Sequence, residues 1–338
     1  MEKWKIPSPI SGGLILSYRC NAACRHCMVA SSPQWPGHWI SEAHLKECLI
    51  HLAPHIQSSP YGELGISINH GLHFTGGEPF LNFPLLLRAV EMAHDLGIPS
   101  LFVETNAYWS TDDEGTWIKL KRLKNAGLNG ILISVNPFCA EYVPFERTER
   151  CLWFSREIFG WNVIVYQLES YERFKALGIR KRMPLEEYAR LDPAFSRHGE
   201  IFLTGRAAWR LRDFYPAYPA RLFFRDSCRN LLIRNWHNHF DNYGNLVPGF
   251  CPGLSLGSWR EIDRLMRTGI DPKRNPILKF LIEEDLEGLY NFARDFGYRE
   301  SPEGYISKCA LCLDIRRHLA SVGGFAELQP EEFYRQLP

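Results

Sequence analysis

Cys20-Asn-Ala-Ala-Cys24-Arg-His-Cys27 brings three thiols into one short loop, which directly follows the apolar run Leu14 to Ser17. Thiolates are natural ligands of iron–sulfur clusters, and three of them leave the fourth iron of a cubane open to another ligand. A structural zinc ion is the alternative, with His26 as its fourth ligand. The cysteine spacing by itself leaves both interpretations open.

A second motif, Phe74-Thr75-Gly76-Gly77-Glu78-Pro79, closes the second predicted strand. Paired glycines let backbone groups approach a ligand closely, since neither carries a Cβ, and Glu78 supplies an acceptor for a cation. The motif therefore predicts a cationic ligand at the end of this strand.

Short β-rich runs alternate with amphipathic helical stretches from Gly13 to about Arg206, a pattern that predicts βα units and a parallel sheet. The predicted strands are Leu14 to Ser17, Leu72 to Thr75, Ser100 to Thr105, Ile131 to Val135, Val163 to Gln167 and Ile201 to Thr204. The predicted helices are Ser41 to Ala53, Phe83 to Leu96, Asp112 to Asn125, Glu146 to Phe159 and Glu169 to Leu177. We expect an α/β fold, a partial (βα)6 TIM-like barrel.

The composition changes after Arg206 to an aromatic, arginine-rich and proline-punctuated connector. Beyond it, Leu231 to Trp236, Asn238 to Asp241 and Asn245 to Val247 predict small antiparallel hairpins. Helices are expected at Trp259 to Thr268, Pro276 to Glu287 and Leu311 to Ala320. We therefore expect two domains, residues 1–207 and a small α+β domain of residues 208–338.

The bulk composition is that of an ordinary globular protein, with 45% hydrophobic residues, 23% charged residues and a net charge of +1 over 338 residues. This charge indicates neither nucleic acid nor a membrane surface as a partner. The N-terminus lacks the apolar stretch of a signal peptide, and no apolar run approaches the roughly 20 residues that a membrane-spanning helix needs. The sequence predicts a cytoplasmic protein.

Ten cysteines in a reducing compartment are more typical of metal sites than of a disulfide framework. Beyond the N-terminal trio, Cys228, Cys251 and the Cys309-Ala-Leu-Cys312 pair form a four-thiol set in the second predicted domain. Four thiolates can ligate a cubane completely. A zinc-ribbon-like site is the alternative, and the spacing does not exclude it.

The cysteine trio and the Gly76-Gly77-Glu78-Pro79 turn together resemble the radical S-adenosylmethionine (SAM) superfamily over roughly residues 13–206. The resemblance implies that Cys20, Cys24 and Cys27 hold a [4Fe–4S] cluster whose open iron is chelated by the amino and carboxylate groups of SAM. It also implies that the turn contacts the SAM amino group. The superfamily usually has an aromatic or apolar residue before the third cysteine, and we expect His26 to take over that packing role or to hydrogen-bond to the cofactor.

Further SAM contacts are expected at the carboxyl ends of later strands, where parallel α/β folds bind their ligands. The candidates are Glu104, Thr105 and Asn106 after the third predicted strand, and Ser134 and Asn136 after the fourth.

The C-terminal part resembles the auxiliary-cluster extension called SPASM or, in its one-cluster form, twitch. By that resemblance Cys228, Cys251, Cys309 and Cys312 hold an auxiliary [4Fe–4S] cluster. With all four thiols engaged, outer-sphere electron transfer is its expected role. The resemblance also implies a reductant such as flavodoxin or ferredoxin.

The chemistry implied by the resemblance is reductive cleavage of SAM to a 5′-deoxyadenosyl radical, which abstracts hydrogen from a substrate C–H bond. The favoured substrate is a peptide, modified by epimerisation or cross-linking. The alternative is a small-molecule dehydrogenase of the aminocyclitol or sugar-alcohol type, which needs a base near the substrate. A non-enzymatic zinc-binding protein is a third hypothesis.

Cys139 lies just beyond the fourth predicted strand, where a side chain would face a substrate above the barrel. A thiol there would donate hydrogen to a carbon radical, the final step of a radical epimerase, so Cys139 is the candidate catalytic residue. A buried small hydrophobe is the alternative. Glu141, Tyr142 and Arg206 are further candidate pocket residues.

Overall fold

The computed structural model describes residues 3–197, 201–226 and 228–338. Its strands are β1 (Ser11–Ser17), β2 (Gly71–Gly76), β3 (Phe102–Thr105), β4 (Gly130–Ser134), β5 (Val163–Tyr166), β6 (Asn238–Asp241) and β7 (Leu246–Val247). They form one sheet in the order β5-β4-β3-β2-β1-β6-β7, in which β1 to β6 are parallel and β7 is antiparallel to β6. The fold is α/β with a parallel sheet, as predicted, and fits a partial TIM-like barrel.

Helices follow the first five strands and continue through the C-terminal part. In the first part they are α1 (Glu42–Leu52), α2 (Phe83–Asp95), α3 (Asp113–Asn125), α4 (Pro137–Ala140), α5 (Phe145–Phe159), α6 (Leu168–Ala176) and α7 (Leu185–Leu191). Further along they are α8 (Ala207–Arg210), α9 (Arg229–Leu232), α10 (Ile262–Thr268), α11 (Pro276–Ile282), α12 (Leu286–Asp295), α13 (Lys308–Val322) and α14 (Glu331–Arg335). Side-chain caps set several of these starts: Ser41 accepts from His44 N before α1, and Asp112 accepts from Gly115 N before α3.

The five N-terminal strands lie within two residues of their predicted ends, apart from the first three residues of β1 and the first two predicted for β3. Every residue of β1 is buried, and β4 is buried up to its last residue. Strands covered on both faces are recognisable in sequence as nearly continuous apolar runs, which is why the prediction of these strands is confirmed.

The predicted sixth strand, Ile201 to Thr204, is wrong: these residues form no strand. Tertiary contacts hold them in an irregular conformation, because Phe202 stacks on Phe250 with ring centroids 4.6 Å apart and Ser307 donates to the Leu203 carbonyl over 2.8 Å. The sixth parallel strand is instead β6, which pairs with the other edge of β1 over Gly12 to Ile15.

Two other predicted elements also differ from the structure. Leu231 to Trp236 is not a strand, because α9 occupies its start and Arg234 then donates to the His237 carbonyl over 3.0 Å, closing a local turn. The single helix predicted from Pro276 to Glu287 is broken into α11 and α12 by Glu284, whose φ of 65° is left-handed.

The sheet crosses the predicted domain boundary, since β6 comes from the second predicted domain and pairs with β1 of the first. The division at residue 207 stays a prediction. Among the described residues, no helix has both the length and the apolar character needed to cross a membrane.

Candidate functional site

A cavity of about 540 Å³ lies at the carboxyl ends of the parallel strands. The predicted residues that line it are Cys20, Cys24, Cys27, Gly76, Gly77, Glu104, Thr105, Asn106, Ser134 and Cys139. Its size is within the range of ligand pockets. Both N-terminal motifs therefore meet in one pocket, where parallel α/β folds place their ligands.

The cysteine loop is largely buried, and its surroundings raise the pKa of each of its three thiols. Burial and then the charges of Cys24 and Glu78 raise the pKa of Cys20, and a hydrogen bond with the Cys139 thiol followed by burial raises the pKa of Cys24. Burial also raises the pKa of Cys27, whose Sγ accepts from Ser31 N over 3.3 Å. Thiols that resist ionisation in an apolar setting need a metal to become thiolates.

Arg206 fixes the shape of this loop. Its guanidinium is 6% exposed and donates to the carbonyls of Cys24 at 2.9 Å, Ala30 at 2.6 Å and Ser31 at 3.0 Å. Its own N–H donates to the Cys27 carbonyl over 3.0 Å. A buried cation that donates only to backbone carbonyls is favourable beside an anionic group, so Arg206 suits a loop that carries a thiolate-ligated cluster.

The other face of the loop is held by two residues that the sequence indicated only as pocket candidates. Tyr142 donates its hydroxyl to the Ala23 carbonyl over 3.1 Å. Glu141 pairs with Arg25 at 3.0 Å. These contacts position the loop and leave its thiols facing the cavity.

His26 packs as expected from the sequence. Its ring stacks on Phe138 with centroids 4.8 Å apart, and its Nε2 lies 3.2 Å from Asn136 Nδ2. Burial, then the charge of Arg206, lowers its pKa to about 4. His26 is therefore a neutral residue that packs on Phe138 and also lines the cavity.

Gly76 and Gly77 are required by crowding from the chain itself. A Cβ on Gly77 would lie 1.8 Å from the Arg19 carbonyl oxygen, and Gly76 has a φ of +129° beside the Ser17 carbonyl. Hydrogen bonds from Gly77 N to Ser17 O at 2.8 Å and from Glu78 N to Arg19 O at 2.9 Å join the turn to the cysteine loop. The turn and the loop thus form one rigid unit.

Glu78 lies behind the cavity lining and ties this turn to the end of β3. One carboxylate oxygen accepts from Thr105 Oγ1 at 2.9 Å and Phe80 N at 3.1 Å, and the other accepts from Asn106 N at 2.8 Å. Burial raises its pKa to about 7, although these hydrogen bonds oppose the rise. The side chain thereby positions the Gly76–Pro79 turn and the Thr105–Asn106 turn.

Glu78→Gln is expected to lower stability by about 1–3 kcal/mol, because one side-chain NH2 would then face a buried N–H or O–H donor. The folded-state pKa of Glu78, about 7, lies above the ordinary value of 4.5 for this side chain, so wild-type stability falls as pH rises between these values. The deficit of the variant should therefore shrink over this range. Anaerobic thermal unfolding from pH 4.5 to 7.5, with the exposed Glu157→Gln as control, measures the loss of stability and its change with pH. A loss of stability that stays constant or grows as pH rises contradicts the prediction.

The remaining predicted residues take two kinds of position. Glu104 faces the cavity and accepts from Thr75 Oγ1 over 2.6 Å, and Asn106 donates to Asn21 Oδ1 over 2.9 Å beside Cys20. Pro79 is buried, and Asn136 is also buried and caps α4 by accepting from Cys139 N over 2.9 Å. The direct SAM contacts proposed for Pro79 and Asn136 thus stay predictions.

The cavity is also lined by residues that the sequence interpretation missed. They are Ile68, Phe202, Trp236, His237, His239 and Phe250. His237 Nδ1 lies 3.2 Å from the Ile68 carbonyl oxygen, which can only accept, so the proton of the neutral ring is on Nδ1 and Nε2 carries a lone pair. Burial lowers the pKa of His237, which keeps the ring neutral.

A third histidine, His73, lies in the sheet close to these residues. His73 on β2 and His239 on β6 flank Gly13 of β1 at the same level of the sheet, and a Cβ on Gly13 would lie 2.4 Å from His73 Nε2. His73 is 1% exposed, and its Nε2 is 3.4 Å from Glu104 Oε1. The His-x-His spacing at 237 and 239 was the available signal, because alternate residues of a strand share a face.

The C-terminal cysteines also converge. Burial and then the charge of Cys312 raise the pKa of Cys228, and burial followed by the charges of Cys312 and Cys228 raises the pKa of Cys309 to about 11. Burial, then the charge of Cys309, raises the pKa of Cys251 as well. Four mutually interacting thiols fit a metal site with four thiolate ligands.

Within the described ranges, no three His, Cys, Asp or Glu side chains are arranged to hold a single metal ion. Tetrahedral zinc gathers its ligands around one centre, whereas each thiolate of a cubane binds a different iron. The chemistry of the two cysteine sets fits iron–sulfur clusters of that kind.

An α/β barrel with a three-cysteine loop over the ends of its parallel strands defines a class of enzymes that use an iron–sulfur cluster and a small bound ligand. Residues 14–181 match the Radical SAM superfamily. The chain belongs to this superfamily and is a radical SAM enzyme, with a [4Fe–4S] cluster and SAM as its cofactors.

Solved structures with similar folds were also found. The crystal structure of BtrN in complex with AdoMet and 2-DOIA is 14% identical with a TM-score of 0.39, over 81% of this chain and 90% of that one. Native anSMEcpe with bound AdoMet is 13% identical with a TM-score of 0.44, over 78% and 82%, and its complex with AdoMet and the Cp18Cys peptide is 13% identical with a TM-score of 0.43, over 93% and 98%. No curated protein sequence matches the chain.

Proposed function

We propose that this enzyme oxidises its substrate, and that in the peptide-modifying form predicted from the sequence the reaction is a cross-link. When bound, the N-terminal cluster and SAM supply a 5′-deoxyadenosyl radical that takes a hydrogen atom from the substrate. A product lighter by two hydrogen atoms then requires both a second electron and a proton to leave the substrate radical. We propose that the electron passes to an auxiliary [4Fe–4S] cluster held by Cys228, Cys251, Cys309 and Cys312.

The observation that carries this proposal is the position of Phe250. Its ring forms part of the cavity wall, and the next residue, Cys251, belongs to the four-thiol set. An electron acceptor at that set would therefore lie directly behind the substrate, across one aromatic side chain that also stacks on Phe202. A reaction without net oxidation has no need of such an acceptor.

The position of Cys139 supports oxidation over epimerisation. Its thiol hydrogen-bonds with Cys24, and its backbone N–H donates to Asn136, so the residue lies against the cysteine loop. A hydrogen donor that inverts a carbon centre must approach from the face opposite to the one from which hydrogen was taken. Apart from Cys139 and the three cysteines of the loop, the described residues that line the cavity include His237, His239 and aromatic rings but no further thiol.

Dehydrogenation of a carbinol in a small molecule is a second candidate, favoured by His237. Its Nε2 lone pair is available as the base that such a reaction needs, and Glu104 and His239 add polar groups to the same cavity. The cavity must accommodate SAM as well as the reacting part of the substrate.

The test uses the anaerobically reconstituted, reduced enzyme with SAM in deuterated water. Peptides and small polyols suggested by neighbouring genes serve as candidate substrates. A product lighter by two hydrogen atoms, formed equally by Cys139→Ala, supports the proposal, and the substrate that gives it separates the peptide from the small-molecule form. Solvent deuterium at a substrate carbon without loss of hydrogen, abolished by Cys139→Ala, would show epimerisation and overturn it.

A further inference from the structure

Helix α13 places two cysteines and a cation on one face. Cys309, Cys312 and Arg316 are separated by three and then four residues, the spacing at which side chains of an α-helix are neighbours. The helix starts at Lys308 after the Ser307 cap, so both cysteines lie near its N-terminal end. The positive end of the helix dipole favours thiolates there.

Arg316 is buried, and no carboxylate among the described residues balances its charge. It is 2% exposed, and its Nη1 donates to the Pro252 carbonyl at 2.8 Å and to the Tyr334 hydroxyl at 3.2 Å. Its Nε has no hydrogen-bond partner among the described residues. A buried guanidinium is strongly unfavourable unless an anion and hydrogen-bond acceptors compensate it.

The compensating anion is the cysteine set. Arg316 hydrogen-bonds with Cys312, and its guanidinium also lies near Cys251. On the same helix, Lys308 hydrogen-bonds with Cys228 and lies near Cys309. Two cations thus face the four thiols.

We propose that Arg316, assisted by Lys308, sets the reduction potential of the auxiliary cluster so that it accepts an electron from the substrate. This inference rests on the proposed role of Cys228, Cys251, Cys309 and Cys312 as cluster ligands. Reduction adds negative charge to a complex that is already anionic, and a fixed cation in a low-dielectric site stabilises the reduced form more than the oxidised one. The two cations therefore shift the midpoint potential in the positive direction, toward electron acceptance.

Arg316 is the cation to test because its environment separates it from the substrate. Arg234 also faces Cys251, but it lies 4.1 Å from the Trp236 ring centroid and 4.4 Å from that of Phe250, so its replacement would disturb the cavity wall. Arg316 is not among the described residues that line the cavity, and it donates to the Pro252 carbonyl beside Cys251. Its effect on the potential is therefore separable from substrate binding.

The test is an EPR-monitored redox titration of the full-length reconstituted enzyme with SAM present and no substrate. Arg316→Gln should make the midpoint of the auxiliary cluster more negative and leave that of the N-terminal cluster unchanged. Arg316→Lys, which keeps the charge, should stay closer to wild type. Arg317→Gln removes the same charge from the next residue of α13, which packs toward Trp209, and should leave both midpoints unchanged.

An intact auxiliary cluster whose midpoint is unmoved in Arg316→Gln overturns the inference, as does an equal shift of both clusters. If Arg316→Gln loses iron, Lys308→Gln, whose side chain is only half-buried, gives the same readout. Failure of the underlying proposal looks different: wild-type enzyme would then hold about four irons per chain together with zinc, and would show no second EPR signal.

Discussion

Replacing Cys24 with alanine is expected to abolish the reductive cleavage of SAM. Cys24 is the central one of the three proposed ligands, and Cys20 and Cys27 alone would not retain a cubane. Without the cluster no electron reaches SAM. 5′-Deoxyadenosine, measured by liquid chromatography after anaerobic incubation with dithionite, should fall below detection. Iron should fall from about eight to about four per chain.

The matched control is Cys48→Ala. This thiol is fully buried in α1, away from both cysteine sets, so its replacement should cost about 1 kcal/mol of stability and leave SAM cleavage intact. Cleavage at the wild-type rate in Cys24→Ala would mean that the N-terminal trio does not hold the catalytic cluster.

The parts of this site that were predictable from the sequence are those encoded locally. The cysteine loop and the Gly76–Pro79 turn are contiguous motifs, and the strands that bear them are continuous apolar runs. Even there, the reason derived from the sequence for Gly77, namely the close approach of a ligand, was incomplete. In the structure Gly77 is also required because the Arg19 carbonyl leaves no space for a Cβ.

The parts that were missed depend on contacts distant in sequence. Ile201 to Thr204 has strand-forming residues, but Phe202 is held by Phe250, and the place beside β1 is taken by β6. That pairing is what brings His237 and His239 into the same cavity as the cysteines. The His-x-His spacing marks these two residues in the sequence, but no local pattern specifies which strand borders β1, so their place in the cavity could not be derived.

Arg206 and Arg316 illustrate the same limit in electrostatic terms. The sequence indicates Arg206 only as a candidate pocket residue and does not distinguish Arg316 from other arginines. In the structure each is buried beside thiols without a carboxylate partner among the described residues. Burial is a property of the folded chain, as is the convergence of Cys228 and Cys251 with the α13 pair. The cysteine count predicted two metal sites, and the structure adds the charges that act on them.

Replacing Cys251 with alanine is expected to separate radical formation from oxidation. The N-terminal cluster is untouched, so 5′-deoxyadenosine should still form at close to the wild-type rate when substrate is present. The substrate radical, however, would lose its electron acceptor behind Phe250, and the product lighter by two hydrogen atoms should fall at least about tenfold, corresponding to 1.4 kcal/mol or more. Mass spectrometry of the product and EPR of the second cluster measure the two losses together.

Cys151→Ala, a fully buried thiol of α5 far from both sets in sequence, is the control and should retain both 5′-deoxyadenosine and product. Removing Cys251 also takes away one anionic neighbour of Arg316, which could unfold the variant. In that case Cys309→Ala, at a partly exposed position, replaces Cys251→Ala in the same experiment. Undiminished oxidised product in a folded variant that has lost the second cluster would contradict electron transfer to that cluster. The electron would then have to return to the N-terminal cluster, and the four-thiol set would have a structural role.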